Sequence, residues 1–369
     1  MSMGIGIIGG GQLGQMMIQA GISFGYQFTV LDPDPYAPAH RVCSQHLVTP
    51  FFEQESLGRL FDQSKWVTTE FEHIDCAAIE SACEDHAEKF FPSTSIIQLI
   101  QDKGTQFEWL HQNGFPIPRF TIESDPCNTP LPPFPFVQKD RTGGYDGRGV
   151  RMIEDIQDIL NRPSVFQTKL DIAAELSIIV VRDQYGSILT YAPSEIETHP
   201  LSNMLQRLIS PARVDPRIAN EAVECAKSLA HQLKMIGTMA VEFFITQNHE
   251  LYINEIAPRP HNSGHHTIES ATCSQFQQHI RAISNLPVQP FEEKPAVMIN
   301  LLGDPSGVGP ASIQGWEPYL RRPDVFFHWY GKRFTSPFRK MGHVTILCDS
   351  ISESMNVSDE ILKTVSVGV

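Results

Sequence analysis

The chain reads as a parallel α/β unit followed by α+β units, and three observations lead there. Apolar runs at 5–8, 28–31 and 66–71 alternate with helical patterns, the order of a parallel sheet with crossover helices. Further along, apolar runs come in pairs joined by short polar turns, 176–182 with 187–191 and 239–245 with 251–256, as in antiparallel hairpins. At 369 residues the chain is long enough for two or three cores.

In order, residues 5–8 form a strand, 9–11 a glycine turn, and 12 to about 23 a helix. The strand 28–31 ends in Asp32 and a proline-broken loop at 33–38; the strand 66–71 follows, and Pro92 closes the unit. One helix spans 95–112, stopped by Gly114 and Pro116. The proline-rich 126–135 leads into a strand at 136–139, a glycine-rich turn at 143–149 and a return strand at 150–153. Residues 218–236 place Ile218, Ala222, Cys225, Leu229 and Leu233 on one face, so this is a buried amphipathic helix. Strands at 297–302, 325–330 and 343–347 complete the chain.

A formal net charge of −14 argues against general binding to nucleic acid or an anionic membrane. No apolar run approaches bilayer length, and the run 5–8 lacks the basic flank of a signal peptide. Seven scattered cysteines without a CxxC pair suit reduced thiols in the cytoplasm, not a disulfide framework or a zinc site.

Several segments carry chemistry. Gly9 to Gly14, with Gln12 inside, satisfies G-x-G-x-x-G between a strand and a helix, and Asp32 sits about where a ribose-binding acid would. That supports an NAD-dependent oxidoreductase, an anion site of another kind, or a tight turn without a ligand. Lys139 ends an apolar strand before Gly143, Gly144, Gly147 and Gly149, a flap whose amides, with Arg148, suit polyphosphate. Glu242 and the Asn254-Glu255 pair lie on partner strands; two acids and an amide oxygen beside a phosphate site suit magnesium shared with a nucleotide. The proline-stiffened 257–266 offers Arg259, His261, Asn262, Ser263, His265 and His266. Zinc on the three histidines is one reading and substrate binding the better one, because adjacent histidines point apart.

Three segments together point to a family. They are Lys139 with Arg141 to Gly149, then Asn254 to His265, and His328-Trp329-Tyr330-Gly331-Lys332 with Arg339-Lys340-Met341-Gly342-His343. All resemble 5-(carboxyamino)imidazole ribonucleotide synthases of the ATP-grasp superfamily, as do Gly9 to Gly14 and Glu70-Phe71-Glu72. Biotin carboxylase shares the architecture but not this combination. The resemblance implies an ATP-grasp fold: an N-terminal Rossmann-like pre-ATP-grasp domain (1–98), an ATP-grasp domain (99–294, lid about 119–182) and a small C-terminal domain (295–369).

It also implies a reaction, the joining of ATP, bicarbonate and 5-aminoimidazole ribonucleotide with release of ADP and phosphate, in a cytoplasmic homodimer using Mg2+ or Mn2+. Another ATP-grasp carboxylate–amine ligase is the neighbouring alternative. By motif match ATP meets Lys103, Lys139, Gly144, Tyr145, Asp146, Gly147, Arg148, Gly149, Gln167, Leu170, Glu175, His199, Asn254 and Glu255. The metal meets Glu242 and Glu255. Tyr145, Asp146, Arg259, His261 and Asn262 carry carboxylation; Gln12, Glu70, Glu72, Ser263, Lys332 and Arg339 join Arg259, His261 and Asn262 in binding substrate, with Lys332 and Arg339 on its phosphate. The adenine hinge, 166–170, has Gln167 where the family usually has glutamate, 195–207 aligns poorly, and 303–324 has no assigned role.

Overall fold

The structure, a computed structural model, describes residues 4–83, 86–123, 131–144, 149–347 and 349–368. The expectations placed on Tyr145, Asp146, Gly147 and Arg148 lie outside the described residues.

The early apolar runs form a five-stranded parallel sheet in the spatial order Gln45–Leu47, Gln27–Leu31, Gly4–Ile8, Trp66–Thr69, Phe90–Phe91. The first strand is central and buried throughout because helices cover both faces. Ile5 and Ile7 pack with Met16 and Met17 of the helix Gln12–Ile22, whereas Ile8 and Leu31 pack with Leu57, Leu60 and Phe61 of Gln54–Gln63.

The single helix expected over 95–112 is two, Thr94–Gln101 and Lys103–Gln112. Asp102 breaks it: extended backbone (φ −106°, ψ 107°) makes it the cap of the second helix, accepting from Thr105 N, while its carboxylate binds the Arg141 guanidinium at 2.7 Å. The helical period runs across the break, so apolar spacing does not reveal it; the competing cap does.

A four-stranded antiparallel lid follows, in the order Phe120–Glu123, Ser164–Thr168, Phe136–Asp140, Val150–Ile153. The body is a nine-stranded sheet. Its order is Leu251–Ala257, Gly237–Thr246, Ile172–Arg182, Ser194–Thr198, Leu205–Ser210, Ala296–Leu302, Lys340–Ile346, Val325–Trp329, with Ile188–Thr190 beside Ile172–Arg182. The helix Pro216–Gln232 packs on it through Ile218, Ala222, Ala226 and Leu229; Cys225 and Leu233 lie partly buried at the rim. Pairing of Arg207 with Ile299 carries the sheet into the C-terminal strands without interruption.

Two strands are absent from the sequence reading, Ser194–Thr198, polar by composition, and Leu205–Ser210, whose apolar residues are interrupted by Gln206 and Arg207. Their glutamates are matched across space: Arg213 binds Glu195 at 2.7 Å, and Arg207 binds Glu197 at 2.6 Å and Asp359 at 2.5 Å. The helix Ile351–Thr364, also missed, is capped by Ser350 and supplies Asp359. Among the described residues no helix is long and apolar enough to cross a membrane.

Candidate active site

The strands Gly237–Thr246 and Leu251–Ala257 pair so that Glu242 lies opposite Glu255 and Phe243 opposite Ile253. Asn254 is therefore an extra residue, a bulge. A bulge sets two consecutive residues against one partner and re-aims a side chain that strict alternation would send to the other face. Asn254 and Glu255 accordingly both meet lysines: Lys139 Nζ donates to Asn254 Oδ1 at 3.2 Å, and Lys103 Nζ is 3.9 Å from Glu255 Oε1.

Each lysine is delivered differently. Lys139 comes from the lid strand Phe136–Asp140 and is 5 % exposed. Burial, and then the neighbouring Lys103, push its ammonium down to about 7, against the opposing pull of Glu255 and Glu175. Lys103 opens the second helix, just past the break at Asp102, and its backbone N–H donates to Arg141 O at 2.8 Å. Arg141, through Asp102, thus ties lid to helix and fixes Lys103. Burial raises the Glu175 carboxyl while Lys139 pulls it down, which places Glu175 in the same field. Gln167 is buried, with an Nε2 that has no partner among the described residues, a donor available to a nucleobase. Leu170 lies half-buried just past that strand.

A second cluster borders the first. Arg259 Nε donates to Glu72 Oε2 at 2.6 Å, linking the segment after the Glu255 strand to the N-terminal sheet. Burial alone would raise Glu72, but Arg259 outweighs it and holds the carboxyl down to about 2. His261 Nδ1 lies 2.8 Å from Ser263 Oγ and 3.7 Å from Glu242 Oε1; Ser263 is anchored in turn by Ser177 at 2.6 Å. Glu72, Lys103, Arg141, Gly144 and Glu255 line one cleft that joins the clusters.

The glycine loop is filled from within. Glu70 accepts from Gly11 N at 2.5 Å and Gly14 N at 2.8 Å, and Asp32 accepts from Gly10 N at 2.7 Å and Asp34 N at 2.8 Å. This overturns the oxidoreductase alternative: the amides that would hold a pyrophosphate are satisfied by the protein's own carboxylates, and Asp32 serves the turn instead of a ribose. Burial raises the Glu70 carboxyl, while the Gly14 and Gly11 amides and the Lys332 charge draw it down.

From the C-terminal part, Lys332 Nζ donates to Lys340 O at 2.7 Å, and Arg339, exposed, donates to Phe334 O at 2.7 Å. Lys332 thereby sits within the field of Glu70, and Arg259 within that of Glu72, Glu255 and Glu70. All three parts of the chain converge on one place.

The ATP-grasp domain family matches residues 108–276, the ribonucleotide synthetase preATP-grasp domain family 2–101, and the phosphoribosylaminoimidazole carboxylase C-terminal domain family 296–356. N5-carboxyaminoimidazole ribonucleotide synthase of Staphylococcus aureus (strain MRSA252) is 36 % identical over 363 residues, 95 % of this chain and 94 % of that one. The chain belongs to the N5-carboxyaminoimidazole ribonucleotide synthase family. Among solved structures, the synthetase from Thermotoga maritima superposes with a TM-score of 0.89 at 36 % identity, covering 99 % of both chains. The synthase from Aspergillus clavatus in complex with ADP and 5-aminoimidazole ribonucleotide gives 0.86 at 30 % identity, covering 98 % of this chain and 99 % of that one.

Within that family frame the remaining candidates separate. Gln12 is half-buried at the first turn of its helix. His199 packs against Phe338 with ring centroids 5.1 Å apart, beside a cavity of about 190 Å³ that Gln206 and Asn300 also line. The zinc reading is not supported: His261 turns to Ser263 and Glu242, whereas His265 packs at a tilt against His343, with centroids 4.8 Å apart. Among the described residues no three His, Cys, Asp or Glu side chains are placed to hold a metal ion. Asn262 points its amide at Asn300, a residue that sequence reading passed over as part of an apolar strand. Asp102 and Ser177 were missed as well, and Arg141, quoted within its motif, was given no role; only the polar Asp102-Lys103 step inside an otherwise periodic helix hints at the first.

Proposed function

We propose that the protein uses ATP and bicarbonate to carboxylate the exocyclic amine of 5-aminoimidazole ribonucleotide, giving N5-carboxyaminoimidazole ribonucleotide, ADP and phosphate. The convergence of a lysine–carboxylate cluster, Lys103 and Lys139 with Glu255 and Asn254, on a second cluster built from all three parts of the chain carries this reading. In the first cluster Lys103, Lys139, Gly144 and Gly149 hold the phosphates, Gln167 and Leu170 the adenine, and Glu175 the ribose. His199 belongs to that set by motif match alone.

Glu242 and Glu255, opposite one another and both hard oxygen donors, fit Mg2+ with the phosphate oxygens completing the shell. The ion would neutralise charge on the transferred phosphoryl group. A bicarbonate oxygen attacks the γ-phosphorus and ADP leaves, so carboxyphosphate forms. It breaks down to carbon dioxide and phosphate, the amine nitrogen bonds to the carbon, and its proton passes to the phosphate. Carboxyphosphate is short-lived in water, so the shared cleft, closed by the lid, keeps it from solvent. Arg259 and His261 line the transfer path; Tyr145 and Asp146 join them by motif match alone. Glu70, Glu72, Gln12 and Ser263 face the ribonucleotide, and Lys332 and Arg339 meet its phosphate. Lys332 lies in the field of Glu70, the carboxylate that neutralises the glycine loop.

The same reading divides the chain at 98/99 and 294/295, with a lid over about 119–182, and takes it as a cytoplasmic homodimer. ADP release measured with each substrate omitted in turn tests it. Release should need Mg2+ and rise strongly only with both bicarbonate and the ribonucleotide; turnover indifferent to the ribonucleotide would remove the assignment.

A further inference from the structure

Asn300 is the one amide in the strand Ala296–Leu302, whose residues Ala296 to Leu301 are all buried, and it is itself 2 % exposed. A buried amide is costly unless satisfied. This one is satisfied by a reciprocal pair: Asn262 Nδ2 donates to Asn300 Oδ1 at 2.9 Å, and Asn300 Nδ2 donates to Asn262 Oδ1 at 2.7 Å. Asn300 Nδ2 also donates to Leu205 O at 2.8 Å. Asn262 is 6 % exposed, so both amides of the pair are buried, with Asn300 bordering the cavity beside His199.

Its place in the molecule matters more than its strength. Asn262 opens the short turn Asn262–Gly264, directly after His261 and three residues beyond Arg259. Asn300 lies across from His343 in the neighbouring strand, and that strand pairs with Val325–Trp329, which leads to Lys332. One pair of amides therefore joins the turn that carries Arg259 and His261 to the sheet that carries Lys332.

We propose that Asn262 and Asn300 are positioning residues rather than substrate ligands: their reciprocal pair sets one half of the site, the Arg259–His261 turn that lies on the transfer path beside Glu242, in register with the other half, the sheet that carries Lys332 and holds the acceptor amine. The proposal rests on the reaction given above. Carbon dioxide released in one half must meet an amine held by the other. When the halves drift, carboxyphosphate still forms but its carbon dioxide escapes, so ADP release continues while carboxylated product per ADP falls.

Asn262→Asp tests this with a signature that a space-filling role lacks. One carboxylate oxygen can still accept from Asn300 Nδ2, but the other faces Asn300 Oδ1, acceptor against acceptor. Protonation turns that oxygen into a donor and restores both bonds, so the neutral form is favoured and the new carboxyl titrates above the ordinary carboxylate range. The titratable groups around it are His261, His265 and His266 on its own segment, Glu242 behind His261, His343 across from Asn300, His328 stacked on His343 and bound to Glu269, and Lys340 on the strand of His343. Arg207, on the strand beside Asn300, is held by Glu197 and Asp359. Burial keeps His265 and His343 well below the usual histidine range. Wild type carries all of these groups, so the difference between the two pH profiles belongs to the substitution.

The measurement is product per ADP, from pH 8 to pH 6, with saturating ATP, bicarbonate and ribonucleotide. Wild type should stay near one throughout. Asn262→Asp should fall by about five- to a hundredfold at pH 8, the loss expected for one unmade buried hydrogen bond, and recover as pH falls. Asn300→Asp faces two acceptors with a single proton and should recover less. A wild-type ratio near zero would sink the reaction itself. A sound wild type with Asn262→Asp coupled at every pH, or uncoupled without any pH recovery, would overturn the latch. If Asn262→Asp does not fold, Asn300→Ser, which cannot span the gap, must uncouple at every pH while the KM for ATP holds; full coupling in that variant would overturn it equally.

Discussion

The glycine loop and the lysine–carboxylate cluster both read as phosphate sites, yet the structure leaves them in opposite states. At the loop, the amides of Gly10, Gly11 and Gly14 are already neutralised by Asp32 and Glu70. At the cluster, Lys139 is so poorly compensated that burial and Lys103 push it down to about 7. A helix N-terminus attracts any anion, including one from its own chain. A cation held short of its ordinary charge attracts a ligand that restores it. The difference teaches that an anion-binding motif defines a shape, and that carboxylates distant in sequence decide whether the shape is open.

The largest effect that sharpens this contrast lies at Glu242 and Glu255, the proposed metal pair. Glu255→Gln and Glu242→Gln should each keep the fold and cost about 3 kcal/mol of transition-state stabilisation, or roughly two powers of ten in kcat. Wild-type rates for both at limiting magnesium would make these acids structural. Next comes the ribonucleotide side. Lys332→Ala should raise the KM for the ribonucleotide about ten- to a hundredfold, the worth of a charge-assisted phosphate contact, and leave that for ATP nearly unchanged. Arg339→Ala should act in the same direction but less, because its guanidinium is exposed and turned to Phe334 O. Equal rises in both KM values would place the phosphate elsewhere.

A smaller effect follows from the sign of the Lys139 shift. Its folded-state value lies below the ordinary one, so the free protein loses this proton as pH rises through about 7. ATP phosphates favour the charged form. Binding near pH 7 should therefore take up a proton, seen by calorimetry in buffers of different ionisation enthalpy, and the KM for ATP should rise between pH 7 and 9. Lys139→Met should abolish both. Smallest is the loop itself: Glu70→Ala opens the Gly11 and Gly14 amides, so inorganic phosphate should raise the melting temperature of the variant by more than that of wild type, whose own response belongs to the lysine cluster and to Lys332 and Arg339. Equal shifts in the two proteins would mean that Glu70 does not close the loop.

Much of the fold was legible because it is local. Alternation gave the parallel strands, and paired apolar runs gave the hairpin on which Glu242 faces Glu255. What escaped depends on partners far along the chain. The break at Asp102 is held by Arg141, the polar strand Ser194–Thr198 by Arg207 and Arg213, and the closure of the glycine loop by Glu70. Asn262 shows the same limit within the site: its place in a recognisable segment was readable, but its amide's direction was set by Asn300 in another part of the chain.

The central claim is that bicarbonate attacks the γ-phosphate of ATP at the lysine–carboxylate cluster and that the resulting carbon dioxide is captured by the ribonucleotide amine. Bicarbonate labelled with ¹⁸O tests it most directly, with phosphate and N5-carboxyaminoimidazole ribonucleotide both analysed by mass spectrometry after one turnover. The account predicts one labelled oxygen carried into each phosphate released and label in the new carboxylate. Unlabelled phosphate alongside carboxylated product would contradict it.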